Sequence, residues 1–391
     1  MTRIDQPWLH DDRTASVCET LTGAGHRALF VGGCVRDALL GRTAADIDIA
    51  TDAEPEIVVK LAEAAGLRAV PTGIEHGTVT LIASGRPYEV TTFRRDIETD
   101  GRRAVVAFST DIAEDARRRD FTMNALYARP DGAIEDPLDG LPDLRARRVR
   151  FVGDPAERIA EDHLRILRFF RFHAWYGDPA GGLDAAGLAA CAAGQEGLDA
   201  LSRERVGAEM TRLLVAPDPA PALAAMAASG ILTRILPGAD VAPIGPLVHL
   251  ELAGGATPRW QRRLAALGWR EAWADRLRLS KADRQAMESV ARAIEGAHPP
   301  AATAFRESAE TARDAALIVA ASIGAVPPAD LESEIARGAA AEFPIRAADL
   351  DLSGENLGRA LKALKEAWIR SEFTLDADDL RGLLEGRNEA G

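Results

Sequence analysis

The spacing of apolar positions changes character once along this chain, near residue 155. Before that point, apolar runs of strand length alternate with stretches of helical period. The pattern predicts a helix over 12–24, a buried strand over 27–31, a short helix over 34–40 and a second strand over 46–50. A helix over 55–65 follows, with Thr51 or Asp52 in its N-cap region and Pro55 in its first turn, where a missing N–H costs nothing. Residues 77–83 and 87–93 are β-rich and separated by Ser84-Gly-Arg86, which predicts a hairpin. Beyond about Pro155, strand signals fade and Ala, Leu, Arg and Glu recur at helical spacing. Pro217-Asp-Pro-Ala-Pro221, Pro237-Gly238, His298-Pro-Pro300 and Pro327-Pro328 mark the breaks between helices. The alanines alternate with Leu, Ile, Met and Trp at core-forming spacing, and no repeat of fixed period occurs. Trp260, Trp269, Trp273 and Trp368 read as helix-packing residues.

The chemistry concentrates where the first strand ends. Leu29-Phe-Val-Gly-Gly-Cys-Val-Arg-Asp-Ala-Leu-Leu-Gly41 is an apolar run, a glycine pair and a short helix, followed by Asp46-Ile-Asp48. Alternate residues of a strand share a face, so Asp46 and Asp48 are expected side by side. Mg²⁺ takes oxygen ligands and is commonly held by one or two carboxylates together with substrate phosphates. Gly32 and Gly33 allow close backbone approach to a phosphate at a helix start, and Arg36, one turn inside, is expected to reach the same anion. Glu89, in the strand Tyr88-Glu-Val-Thr-Thr-Phe-Arg94, is a third acid for this metal site if its strand lies beside the one carrying the aspartates.

Two further stretches add to the site. The run from Arg95 to Arg103 is polar with little periodicity and reads as a mobile loop. Arg117-Arg-Arg-Asp120 stands before what reads as an apolar helix start, with Arg119 placed to meet a triphosphate and Asp120 to accept from a ribose hydroxyl. In Glu161-Asp-His-Leu-Arg-Ile-Leu-Arg-Phe-Phe-Arg171, the residues Asp162, Arg165, Arg168 and Arg171 recur every third position, so neighbours in the series share a helical face. Leu164, Leu167 and Phe170 then face a core. A carboxylate beside a guanidinium supplies an acceptor and donors. Cytosine and adenine both pair an exocyclic amino donor with a ring-nitrogen acceptor, whereas uracil and guanine show a carbonyl beside an N–H. Asp162 with Arg165 can thus accept C and A and reject U and G.

Bulk properties narrow the class. A chain of 391 residues exceeds one core of ordinary size, so several subdomains are expected. No apolar run reaches the roughly 20 residues of a membrane span, and the first residues lack the order of a secretory signal. Cys18, Cys34 and Cys191 form no CxxC pair, which points to a reducing cytoplasm and no structural zinc. The net charge of −13 argues against a polyanion partner until its distribution is considered. From Arg86 to Arg171 there are 17 Arg, no Lys and 17 acidic residues, so this window is neutral and its cations are all suited to bidentate phosphate contacts.

Five motifs together resemble one family. Gly32-Gly-Cys-Val-Arg-Asp37, Asp46-Ile-Asp48, Arg118-Arg-Asp-Phe-Thr-Met-Asn-Ala-Leu126, Glu161-Asp-His-Leu-Arg-Ile-Leu-Arg168 and Ser202-Arg-Glu-Arg-Val-Gly-Ala-Glu209 are similar, in order, to the motifs of class II (bacterial-type) CCA-adding tRNA nucleotidyltransferases and the related bacterial poly(A) polymerases. The resemblance covers roughly residues 25–215. It implies an α+β protein with a polymerase-β-type nucleotidyltransferase head, a small mixed sheet with helices, over 1–150. A helical neck with the base-recognition helix would occupy 151–215, and a helical, tRNA-binding body and tail 216–391. By the same resemblance Asp46 and Asp48 would bind catalytic Mg²⁺, and Gly33, Arg36 and Arg119 would hold the incoming nucleotide. Asp162 and Arg165 would template the base, Arg168 and Arg171 would support that nucleotide, and Ser202 to Glu209 would stiffen the neck.

The activity so implied is template-independent addition of C, C and A to the tRNA 3′ end from CTP and ATP. A tRNA hydroxyl would attack the α-phosphate, with two Mg²⁺ ions assisting attack and pyrophosphate departure. Poly(A) polymerase is the nearest alternative, but those relatives tend to carry a basic extension, whereas this sequence runs acidic from Asp376-Ala-Asp-Asp379 onward. Enzymes adding CC alone typically lack the mobile loop, and the polar run from Arg95 favours full CCA addition over a CC-only or A-only product. No His-Asp dipeptide follows His10-Asp11, so the phosphohydrolase dyad of some relatives is missing. The non-enzymatic alternative is an RNA-binding module.

Overall fold

The computed structural model describes residues 2–44, 46–100 and 103–388, with side chains of 96–106 and 385–388 outside the description. The chain forms two compact units, Met1–Pro237 and Gly238–Gly391.

The first unit is built on a mixed sheet. Its strands are β1 (Leu29–Val31), β2 (Asp48–Thr51), β3 (Arg68–Gly73), β4 (Thr78–Ala83), β5 (Arg86–Thr92), β8 (Tyr127–Ala128) and β9 (Ile134–Glu135), in the order β3-β4-β5-β2-β1-β8-β9. The predicted hairpin is β4–β5, and its alternation is visible in the burial of Val79, Leu81, Tyr88 and Val90. β2 runs parallel to β5 and antiparallel to β1. Helices α1 (Asp12–Thr22), α2 (Gly33–Leu39) and α3 (Pro55–Ala64) fall where the apolar spacing places them. Asp11 caps α1 by accepting from the Arg13 N–H at 2.9 Å, which satisfies one orphan donor of the first turn.

Three local expectations are corrected. Strand β2 opens at Asp48, and Asp46 lies in an exposed bend before it. The partner strand β1 is only three residues long, so no ladder extends back to residue 46. The polar run from Arg95 pairs as β6 (Arg94–Asp100) with β7 (Arg103–Phe108), a separate two-stranded ribbon, because the Ala-Val-Val-Ala-Phe sequence of β7 offers it a partner. Finally, α4 (Ile112–Arg117) precedes Arg118, and a 3₁₀ turn over Thr122–Asn124 leads directly into β8 rather than into a helix.

The helices that follow are α5 (Leu141–Arg145), α6 (Pro155–Glu161), α7 (Leu164–Tyr176), α8 (Ala185–Ala193) and α9 (Arg203–Leu214). α6 starts on a strong signal: Asp154 accepts from the Ala156 and Glu157 N–H groups, with Pro155 in the first turn. α7 buries Leu164, Leu167 and Phe170 as expected, and also Ile166, Phe169 and Phe172. Its inner face joins an aromatic cluster in which Phe121 lies 5.0 Å from Phe151 and 4.9 Å from Phe172, centroid to centroid. That cluster pins the segment carrying Arg119 and Asp120 to α7.

Among its described residues, every regular element of the second unit is a helix. Its core holds charge as well as carbon. Glu251 accepts from Arg262 Nη1 at 2.9 Å and Arg263 Nη2 at 2.7 Å, and Asp314 accepts from Arg262 Nε at 2.7 Å. Each of these four residues is at most 2% exposed, so the fork geometry and mutual pairing offset a large desolvation cost. Trp273 and Trp368 are buried, the latter against Phe305, Phe343 and Phe373. Trp260 and Trp269 are half-buried.

Candidate active site

The site forms where β1 turns into α2. Gly32 has φ 73° and ψ −123°, in the left-handed half of the map that a side chain disfavours, so glycine is needed at this position. A Cβ there would lie 3.5 Å from Arg119 Nη1. Gly33 opens α2, and buried Cys34 donates through Sγ to the Val31 carbonyl; burial pushes this thiol up to about 11, which makes it an inert packing group.

Asp48 stands in register with Glu89 across the parallel β2–β5 pair. Residues so paired project from the same face with backbones about 4.8 Å apart, which brings two carboxylates together. Asp48 is pushed up to about 6, chiefly by burial and then by the charges of Glu89 and Asp46, against an opposing pull from Arg119. Asp46 therefore acts on Asp48 although strand alternation does not place it. Like-charged carboxylates at the mouth of a glycine turn are poorly compensated by protein alone and fit a cation. Among the described residues no three Asp, Glu, His or Cys side chains cage an ion by themselves. A partial oxygen set of this kind suits a metal that completes its shell with phosphate and water.

Arg119 is held firmly on one side. Its Nη2 donates to Asp115 Oδ2 at 2.9 Å and its Nε to the Tyr127 hydroxyl at 3.1 Å. Arg36 is arranged differently from the sequence expectation: Nε donates to Asp37, Nη1 to Asn124 Oδ1 at 2.7 Å and Nη2 to the Tyr176 hydroxyl at 2.7 Å. Its guanidinium carbon also lies 3.9 Å from the centre of the Tyr176 ring. Each of the three nitrogens makes a bond, and together these bonds tie α2 to α7.

Asp120 is likewise committed. Oδ1 accepts from the Phe121 N–H and Asn124 Nδ2, both at 2.9 Å, and Oδ2 accepts from Arg168 Nε at 2.8 Å and from Arg168 Nη2. Four donors fill the lone-pair sites of a carboxylate, so the ribose contact read from sequence has no acceptor left. Asp120 instead orients Arg168.

The base-recognition stretch is broken where the spacing argument runs it straight. Asp162 closes α6 with φ −155° and ψ 104°, and α7 begins at Leu164, so Asp162 does not share a helical face with Arg165. Asp162 Oδ1 accepts from the Leu164 N–H at 3.1 Å, and Oδ2 from Arg205 Nη2 at 2.6 Å. Arg165 pairs with Glu161 and donates to the Arg158 carbonyl at 2.7 Å. The short polar Asp side chain competes for the backbone here, which ends one helix and caps the next. The His163 ring seals the break: a Cβ on Gly197 would fall 1.8 Å from it. Arg171 donates to Glu209 Oε2 at 2.5 Å. Residues Arg205 and Glu209 of α9 thus hold Asp162 and Arg171, which gives the Ser202–Glu209 motif its bracing role.

Sequence reasoning passed over Asp115, Asn124, Tyr127 and Tyr176. Only Asp115 had a local signal, an acid four residues before Arg119 on a helix; the others meet their partners through tertiary contacts.

Residues 28–150 match the poly A polymerase head domain, and residues 184–242 match a region described as the probable RNA- and SrmB-binding site of polymerase A. The mitochondrial CCA tRNA nucleotidyltransferase 1 of Danio rerio is 32% identical over 375 residues, 91% of this chain and 86% of that protein. The chain belongs to the CCA tRNA nucleotidyltransferase family. The Homo sapiens member is 41% identical over 201 residues, 51% of this chain and 46% of that protein, so the chain spans about half the length of some curated relatives it matches. Among solved structures, the CCA-adding enzyme of Bacillus stearothermophilus in complex with CTP aligns over 99% of both chains with a TM-score of 0.76 and 28% identity. The family's architecture, a nucleotidyltransferase head followed by helices, is the one observed. Nucleotidyltransferases of this family work with a divalent metal. Among the described residues no helix is long and apolar enough to cross a membrane.

Proposed function

We propose that this chain adds C, C and A to the 3′ end of tRNA from CTP and ATP, releasing pyrophosphate and using no nucleic-acid template. The observation that carries the reading is the pairing of Asp48 with Glu89 beside the Gly32 turn, with Arg119 aimed at the same turn. The family's named activity supports the choice of substrates. The head over 1–150 would carry the chemistry, the neck over 151–215 would recognise the base, and the helices over 216–391 would bind tRNA. Three buried, unpaired cysteines agree with a cytoplasmic setting.

In this reading Asp48, with Asp46 and Glu89 as neighbours, holds Mg²⁺. When bound there, such an ion would supply charge stabilisation at the transferred phosphate and lower the pKa of the attacking hydroxyl. The chain's own residues do the positioning. The glycine turn admits the triphosphate without a Cβ in the way, and Arg119 places a fixed positive charge against it. Asp162, on which Leu164 N–H and Arg205 take two of about four acceptor sites, would turn the remaining ones to the base edge beside Arg165, while Asp120 and Glu209 fix Arg168 and Arg171 behind them.

Incubating the pure protein with tRNA lacking its 3′ end, MgCl₂ and labelled CTP and ATP tests the proposal. A product longer by C, C and A supports it. A ladder of adenylates points to the poly(A) activity, and no extension overturns the enzymatic reading. In the same assay Asp162→Ala is expected to retain turnover but to lose about 10–100-fold of its preference for CTP and ATP over UTP and GTP, the worth of one good base-edge pair. Unchanged selectivity would remove Asp162 from the template role.

Proton and metal compete for Asp48. Its folded pKa of about 6 lies above the usual value of 3.8, so the metal-free protein loses stability as pH rises between them. Mg²⁺ needs the ionised form, so 10 mM MgCl₂ is expected to raise the melting temperature clearly at pH 7.5 and much less at pH 5. An equal shift at both values would take Asp48 out of the metal site.

A further inference from the structure

Tyr127 and Asp115 form a buried pair that the proposed chemistry leaves without a role. The Tyr127 hydroxyl donates to Asp115 Oδ2 at 2.6 Å and accepts from Arg119 Nε at 3.1 Å. Asp115 Oδ2 also accepts from Arg119 Nη2 at 2.9 Å, and Oδ1 from Arg118 Nε at 2.8 Å. Both residues are at most 1% exposed. Flanking guanidinium groups hold the Asp115 carboxyl well below the usual carboxylate range against the cost of its burial, and burial pushes the Tyr127 phenol upward, so Asp115 stays ionised and Tyr127 neutral.

The geometry of the guanidinium gives this pair a direction. Arg presents its N–H groups in a rigid planar fork, so fixing one edge aims the other. Here the Nε–Nη2 edge is taken by Asp115 and Tyr127, and Nη1 faces the Gly32 turn. The sheet supplies the frame. Tyr127 is in register with Val31 on β1, and Asp48 with Glu89 on β5. Continuing the Leu29–Ala50 register of β1 and β2 puts Val31 opposite Asp48. Glu89, Asp48, Val31 and Tyr127 thus form one row across four strands, with Tyr127 about 10 Å from Asp48, two strand spacings away. Arg118 and Arg119 share one carboxylate, so the assembly keeps a net positive charge for an anion.

We propose that Asp115 and Tyr127 are positioning residues for the nucleotide: they clamp one edge of Arg119 so that its other edge meets the triphosphate at the Gly32 turn. The inference rests on the reading of this site as a nucleotide pocket. Tyr127 is the more informative probe, because only its hydroxyl both donates to the acid and accepts from the cation, while its ring packs in the core around Leu29, Val31, Ala50 and Phe93.

The test measures CTP binding by calorimetry and, separately, KM and kcat for CTP in the tRNA assay. Tyr127→Phe preserves the packing and is expected to weaken CTP binding and raise KM about three- to tenfold, the worth of one lost hydrogen bond or slightly more, with kcat within about twofold. Asp115→Asn is expected to weaken binding about tenfold or more by the same route. Neither change should weaken CTP binding further in an Arg119→Gln background, since both act through that side chain. A purely structural role predicts additive effects instead. Unchanged CTP affinity in Tyr127→Phe, or full additivity with Arg119→Gln, overturns the proposal. If the wild-type protein binds CTP but extends no tRNA, the transfer reading falls while the clamp is judged on binding alone; if it binds no CTP, both fall.

Discussion

Replacing Asp48 with asparagine is expected to abolish nucleotide addition and, at neutral pH, to stabilise the fold. Both effects come from the same cause. Burial and the facing charges of Glu89 and Asp46 raise the Asp48 pKa from 3.8 to about 6, so the ionised side chain is held at a cost. Converted at 1.36 kcal/mol per unit, that cost is about 3 kcal/mol above pH 6, present only while no cation is bound. Asparagine keeps the shape and removes the charge. Metal-free Asp48→Asn should therefore melt higher than the wild type at pH 7.5, with a margin that shrinks as pH falls through 6 and closes only below the unfolded value of 3.8, where Asp48 is protonated in folded and unfolded chains alike. The extension rate should fall at least about 10³-fold, since a metal's charge stabilisation is worth several kcal/mol and each 1.36 kcal/mol is tenfold. Activity within tenfold of wild type, or a lower melting temperature at pH 7.5, would show that Asp48 is not a metal carboxylate under strain.

Asp120→Ala is expected to damage the first unit from the opposite direction. This carboxylate receives four donors, two of them from Arg168, and is 9% exposed. Its pKa is held low by Arg168, Asn124 and the Phe121 N–H despite burial, so the ionised form stabilises the fold and that contribution is lost as pH falls through the depressed pKa. Truncation removes an acceptor from the Asn124 amide and from the Arg168 guanidinium, which is 30% exposed and keeps Glu209 3.9 Å away, so the loss is about 1–3 kcal/mol. Chemical denaturation of the first unit should show it as a lower midpoint. Leu or Met at position 120 would not rescue stability, because the orphaned donors remain. Activity should fall as well, since Arg168 would leave the place behind the base-reading break. A stability change under 1 kcal/mol would mean that Arg168 finds another partner.

The legible parts of this protein were those governed by short-range rules. The β4–β5 hairpin, α1, α3 and the capped start of α6 each follow from alternation, helical period or a capping aspartate. The glycine turn was legible too, because a left-handed Gly32 between an apolar strand and a helix has few alternatives. Glu89 was visible only as a conditional partner, since nothing local says that β5 lies beside β2. Its register opposite Asp48 is a product of the parallel pairing.

The departures from local expectation share a physical cause. Regular periodicity in the sequence runs through residues whose side chains interrupt it in the fold. Asp162 caps α7 with its own carboxylate, and so breaks the helical series that its spacing with Arg165, Arg168 and Arg171 implies. Arg36 and Asp120, expected at the ligand, meet Tyr176, Asn124 and Arg168 from elsewhere in the chain, contacts that spacing does not reveal. The polar run that reads as a loop pairs with the strand that begins at Arg103, where the run itself ends.

By itself, then, the order of residues determined most local elements, the mixed-sheet head followed by helices, the family, and the acids and arginines that carry charge. Which of those charged groups face one another, and which are left to face a ligand, was decided only by the tertiary structure. Hydrogen-bond partners far apart in the chain compete for each side chain, and that competition is settled by packing rather than by spacing.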